Sequence, residues 1–254
     1  MIKKFILFVV ISLSCLVLSM LWKMNNLSSK QIDVPKIDKV NLDIDLSINN
    51  LSEAITYRTI SNQDNGNLDA MTFLSFHKYI RRTYPKTFEK FSERIFSGYS
   101  MLLKWESNSG FQGNPILLMA HMDVVPEGDI TNWDIDPFSG AIKNESIFGR
   151  GAIDNKSSLI AILESFEYLI SSGFQPNRDI YLSFGHDEEN GGMEGNAVIA
   201  QTLREEGVYF DMVLDEGSII SDGLISAIDE PIALIGIAEK GYVTMEMTSS
   251  FSSG

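Results

Sequence analysis

Residues 179–192 read DIYLSFGHDEENGG, an apolar run that passes through one glycine into a histidine and three consecutive acids. Ile180, Tyr181, Leu182 and Phe184 in so short a run, bounded by turn-forming residues, predict a buried strand. The carboxylates that follow either form a solvated loop or have a cation to hold.

The same pattern recurs on both sides of this stretch. YSMLLKW (99–105), PILLMA (115–120) and DMVL (211–214) are short apolar runs with strand character, and helical patterns separate them. From about Lys156 to Ser171, residues Leu159, Ile162, Leu163, Phe166 and Ile170 fall on one helical stripe. From about Met193 to Glu206 a narrower face is offered by Ala197, Ala200 and Leu203. Ahead of the strands, LSEAITYRTIS and LDAMTFLSFHKYIRRTYP have apolar residues at helical intervals, and Pro85 closes the second helix. His77, inside that helix, reads as structural. The alternation predicts an α/β fold, a mostly parallel sheet flanked by helices.

Each predicted strand runs into acids. PILLMA leads to His121 and Asp123, SIFGRGAI ends at Asp154, DIYLSF leads to Glu188 and Glu189, and DMVL ends at Asp215 and Glu216. In an open α/β sheet the carboxyl ends of parallel strands share one crevice, where ligand sites form. So dense a carboxylate cluster repels itself unless a divalent cation or two neutralises it. One imidazole with several carboxylates suits zinc, with manganese or cobalt as substitutes. Asp123 lies two residues after His121, on the same face of an extended chain, where it can receive the imidazole N–H and fix its tautomer.

Other residues have plainer readings. His186, Asp187 and Glu216 read as solvated or hydrogen-bonded loop residues, and Trp133 through Gly140 as a locked turn. Arg150 either touches substrate or pairs with an acid. Gly191 and Gly192 permit a tight turn, since no Lys-Ser or Lys-Thr follows them as in a phosphate loop. A calcium module is disfavoured because no Asp-x-Asp-x-Asp-Gly loop occurs and histidine is a poor calcium ligand.

The chain has 254 residues, 44% hydrophobic and 21% charged, enough for one sizeable domain with a closed core. A net charge of −14 without any Lys/Arg cluster excludes a nucleic-acid partner. At the N-terminus Lys3 and Lys4 precede an uncharged apolar run from Phe5 to Trp22, and Lys23 follows it. This segment, residues 1–23, is a signal anchor or a cleaved signal peptide, with a buried helix as the third possibility. The leading lysines place an anchored N-terminus in the cytosol and the rest of the chain outside it, or in a secretory or vacuolar lumen. Cys15, the only cysteine, lies in this segment, so no intrachain disulfide forms. Residues 24–50 show no sustained period and read as a linker. Asn26, Asn50, Asn144 and Asn155 each begin a formal glycosylation sequon.

The motifs AHMDVVP, WDIDPFSG, FGRGAIDNKSSL, GHDEENGG and LDEG occur in the order and spacing of the di-zinc aminoacylase and carboxypeptidase family. The chain most resembles the branch of Gly-Xaa carboxypeptidase, carboxypeptidase S and the N-fatty-acyl-amino acid hydrolases, over about Leu51 to Tyr242. That resemblance implies a zinc-dependent hydrolase acting on a peptide or N-acyl amino acid with a free C-terminal residue. It assigns one Zn2+ to His121, bridging Asp154 and Asp215, a second Zn2+ to Asp154 and Glu189, and the general-base role to Glu188. The family often has a second Asp where this chain has Asn155.

The resemblance also implies that residues 240–254 open a smaller lid and dimerisation domain, a homodimer being expected only where that domain is present. Two histidines that family members place further along do not occur here, so the second zinc is expected to have only Asp154 and Glu189, and the chain little activity. The alternative is a non-catalytic, membrane-tethered fragment that binds at most one metal or a partner subunit.

Overall fold

The computed structural model describes residues 2–28, 40–61, 68–111 and 113–217, and toward the C-terminus 220–223, 226, 228, 230–238, 241, 243 and 245–250. Two compact units are present, Met1–Asn41 and Leu42–Gly254. The first contains α1 (Ile2–Asn25), 24 residues with no buried side chain, long and apolar enough to cross a membrane. At 1.5 Å per residue it is roughly 36 Å long.

The second unit begins with α2 (Ile44–Ile55), whose N-terminus is capped by the Asp43 carboxylate accepting from Leu46 N at 3.0 Å. The predicted linker therefore ends earlier than residue 50: an acid cap and a mixed apolar face that buries Ala54 and Ile55 make Ile44 onward helical. In α3 (Ala70–Thr83) Asp69 plays the same capping role, and α4 (Pro85–Lys90) starts on its proline. Then come β1 (Ser92–Phe96), β2 (Ser100–Trp105), β3 (Ile116–His121), the short hairpin β4 (Ile142–Lys143) and β5 (Ser146–Ile147), α5 (Lys156–Ser171), β6 (Ile180–Gly185), α6 (Asn196–Glu205) and β7 (Met212–Leu214).

The main sheet has the order β1-β2-β6-β3-β7. It is mixed: β6–β3 and β3–β7 pair parallel, whereas β1–β2 and β2–β6 pair antiparallel. Strand alternation sorts the side chains into two cores. Met101, Leu103, Ile180, Leu182 and Phe184 pack with Phe73, Phe76, Leu159, Leu163 and Phe166 of α3 and α5 on one face. Leu102, Leu117 and Tyr181 pack with Ile199 and Leu203 of α6 on the other.

The α5 stripe is as the periodicity predicts, with Leu159, Leu163 and Phe166 buried. In α6 the buried face is Ile199 and Leu203, while Ala197 and Ala200 are exposed. The larger isoleucine removes more apolar area from water and sets the helix rotation. In the segment expected to open a lid domain, the described residues 241, 243 and 245–250 form no strand.

Candidate metal centre

Parallel pairing of β3 with β6 puts their carboxyl ends side by side, His121 in register with Gly185, and Met122 N donates to Gly185 O at 2.8 Å. The turn carrying Glu188 and Glu189 therefore opens directly beside the imidazole. Asp154 arrives differently. SIFGRGAI is not a strand of the main sheet: only Ser146–Ile147 is extended, in its own hairpin, and residues 150–155 form a turn leading into α5. Glycine breaks the run where the chain packs tightly; Gly151 has φ +81°, and a Cβ there would come within 2.6 Å of Val124 Cγ1.

His121 is buried, and its Nδ1 lies 3.0 Å from the main-chain oxygen of Asp123 and 3.3 Å from that residue's Oδ1. Facing two acceptors, Nδ1 carries a proton in either charge state, so Nε2 is the nitrogen turned to the crevice, where a bound cation would take the place of its proton. The main-chain carbonyl is thus the nearer acceptor, with the expected carboxylate beside it. The Asp123 carboxylate, wholly buried, also accepts the backbone N–H groups of Glu188 and Glu189, each at 3.1 Å.

Around Nε2 stand Asp154 Oδ1 at 2.9 Å, Glu216 Oε2 at 3.3 Å and Glu188 Oε2 at 3.7 Å. Candidate ligand atoms of His121, Asp154 and Glu216 lie within 4.8 Å of one another, as do those of His121, Glu188 and Glu189. Ligands about 2.0–2.1 Å from a tetrahedral ion lie roughly 3.3 Å apart, so the first group has the spacing of one cation's shell.

The charges agree with that reading. For His121, burial opposes protonation, yet the Asp123 and Glu216 carboxylates outweigh it and push the imidazole up to about 11. Burial, with the charges of Glu216, Glu189 and Asp123, pushes Glu188 up to about 7 against the pull of His121. Burial and the Asp154 charge raise Glu189, whereas the hydrogen bond from His121 lowers Glu216. The donor set is short of positive charge, and a divalent cation fits it.

The expected ligand Asp215 is placed elsewhere. Its side chain is exposed and accepts from Glu216 N at 2.8 Å, and Glu216, read from sequence as a loop residue, faces His121 instead. Strand parity continued from the Leu118–Leu214 pairing would have put Asp215 on the His121 face. The chain leaves strand geometry after Leu214, and the parity count no longer applies.

His186 and Asp187 hold the turn rather than the crevice. His186 Nδ1 lies 2.7 Å from Ser100 Oγ, and Asp187 Oδ2 accepts from Glu194 N at 2.7 Å. Trp133 donates to the Glu127 carbonyl at 2.9 Å, locking its turn, and the Arg150 guanidinium lies over the Trp133 ring, 5.2 Å from its centroid. Clefts of about 460 and 410 Å³ flank Asp154, one bounded by Asn155 and Glu216, the other by Val125, Phe148, Arg150 and Glu189.

A mixed α/β sheet thus carries one imidazole and a group of carboxylates in a common crevice, spaced as a metal site requires. Residues 117–241 match the family described as Peptidase family M20/M25/M40, and the chain carries a domain of that family there. It is 38% identical to the N-fatty-acyl-amino acid synthase/hydrolase PM20D1 of Xenopus tropicalis over 78% of this chain and 38% of that protein. To carboxypeptidase S of Saccharomyces cerevisiae it is 34% identical over 80% of this chain and 36% of the relative. The M20 metallo-carboxypeptidase Sso-CP2 of Sulfolobus solfataricus superposes with a TM-score of 0.56 at 23% identity, over 68% of this chain and 38% of that one. The chain spans less than half the length of these curated relatives.

Proposed function

We propose that the protein is the metal-binding part of a zinc-dependent hydrolase that cleaves a peptide or N-acyl amide next to a free C-terminal amino acid. The observation that carries this reading is Glu188: its carboxylate, not the closest to His121, stands 3.7 Å from Nε2 beside the tighter ring of Asp154 and Glu216. His121, Asp154 and Glu216 would hold one cation, with Glu216 in the place first given to Asp215. Asp154 and Glu189 would contribute to a second. Two divalent cations, when bound, supply Lewis acidity toward the scissile carbonyl and the attacking water.

The chain's own residues do the rest. Asp123 keeps His121 in the tautomer that presents Nε2, and through two backbone hydrogen bonds it fixes Glu188 and Glu189 relative to that imidazole. Glu188 takes the proton of the attacking water and returns it to the leaving amine. Relatives named for N-fatty-acyl-amino acids and for carboxypeptidase activity support this substrate class. The apolar helix α1, led by Lys3 and Lys4, supports export, as an anchor with a cytosolic N-terminus or as a signal sequence.

Glu188→Gln tests the reading in any form of the protein that turns over N-acyl amino acids or dipeptides. Turnover should fall by about 10²–10⁴-fold with zinc content unchanged. Equal loss of zinc would remove the base assignment.

A further inference from the structure

Asn155 is the N-cap of α5, and asparagine at that position ordinarily accepts a hydrogen bond from the first helical turn. Here it makes no cap hydrogen bond. The side chain turns away from its own helix, and Nδ2 donates to Glu216 Oε2 at 2.6 Å. The residue is 2% exposed, and its Oδ1 is buried without a hydrogen-bond partner among the described residues. A preferred cap and a buried acceptor are both given up, and what the arrangement gains is a fixed Glu216.

That carboxylate needs fixing. It follows an edge strand whose three residues are all exposed, and the adjacent Asp215, whose carboxylate accepts from Glu216 N, is the other acid at that strand end. Glu216 Oε2 is reached by Asn155 from one side and lies 3.3 Å from His121 Nε2 on the other. We propose that Asn155 is a positioning residue of the first cation site, whose amide selects Glu216 over Asp215 as the carboxylate facing His121. An aspartate at 155 could not do this: two ionised carboxylates would meet where one donor and one acceptor now do. The inference rests on the metal-centre reading above and adds to it the element that chooses the third ligand.

The test uses Zn2+ and Co2+ alone, titrated into the full chain against a chelator, with apo-protein thermal unfolding as the folding control. Asn155→Ala and the nearly isosteric Asn155→Asp should each weaken the tighter Zn2+ site by about 10–100-fold and change the Co2+ d–d spectrum. Glu216→Ala should do at least as much, and Asp215→Ala should leave both readings unchanged. Asn155→Asp is the sharper variant. Added negative charge alone would tighten cation binding, whereas loss of the donor loosens it. Wild-type affinity and spectrum in Asn155→Asp, or an equal loss in Asp215→Ala and Glu216→Ala, overturns the proposal while leaving the metal centre standing. Failure of the wild-type chain to take up either ion overturns both.

Discussion

The two strand ends that bring acids to the crevice are built differently. All six residues of β6 are buried at the centre of the sheet, between β2 and β3, and the turn beyond it is held by Asp123, Ser100 and Asp187. β7 lies at the edge of the described sheet, with Met212, Val213 and Leu214 about half exposed, and the Asn155 amide is the side chain that donates to Glu216 beyond it. Folding the core thus fixes Glu188 and Glu189 through their backbone, whereas Glu216 is held through its side chain, by Asn155 and His121. In the proposed mechanism the proton-transfer residue Glu188 sits on the rigid side of the site, and Glu216, proposed as a ligand, on the adjustable side.

The sharpest way to break this comparison is to cut one side chain from each strand. Leu182→Ala, at a fully buried β6 position, should cost about 2–5 kcal/mol in urea unfolding. Val213→Ala, at a position 52% exposed on β7, should cost less than about 1 kcal/mol. Similar losses at the two sites would mean that the edge is as tightly packed as the centre. The next effect lies at the junction of core and site. Asp123→Ala leaves the Glu188 and Glu189 N–H groups without their acceptor, a loss of roughly 2–4 kcal/mol, and amide exchange at those two residues should quicken together. Quickening at Glu216 instead would place the clamp on the wrong corner.

Much of this asymmetry was legible in the sequence, and its gaps have physical causes. DIYLSF, PILLMA and YSMLLKW are rich enough in apolar residues to be read as buried strands, and the α5 stripe is long enough to fix its own phase. β1, SERIF, is an exposed edge strand with two charges and little alternation, so nothing in it announces a strand, and with it went the antiparallel half of the sheet. His121, Glu188 and Glu189 follow strands that pair in register, and their convergence follows from topology. Asp154 comes on a glycine-shaped turn and Glu216 on a chain already out of strand geometry. Rules based on strand period place neither.

Acid provides the smallest of these tests, directed at the supports beneath the β6 corner. His77 is buried in α3 with Nε2 2.8 Å from the Tyr99 carbonyl, and the Tyr99 ring packs 5.5 Å from that of His186. Burial first, then the Arg81 charge and to a lesser degree His186, hold the His77 imidazole down from 6.5 to about 4; the Tyr99 carbonyl and Glu93 pull the other way. Between those two values the unfolded chain binds a proton that the folded chain refuses. Stability is therefore unaffected above pH 6.5 and falls as the pH drops toward 4, by about 2 kcal/mol at pH 5. His77→Gln keeps an N–H donor for Tyr99 and removes the titration, so its urea midpoint should change less than wild type between pH 7 and pH 5. The comparison also has a spatial form. Because His77 acts through Tyr99 and His186, the protection regained by the variant at pH 5 should appear at the amides of residues 185–189 and not at those of β7. Equal recovery at both would show that acid unfolds the domain as one body, with no independent give at the edge.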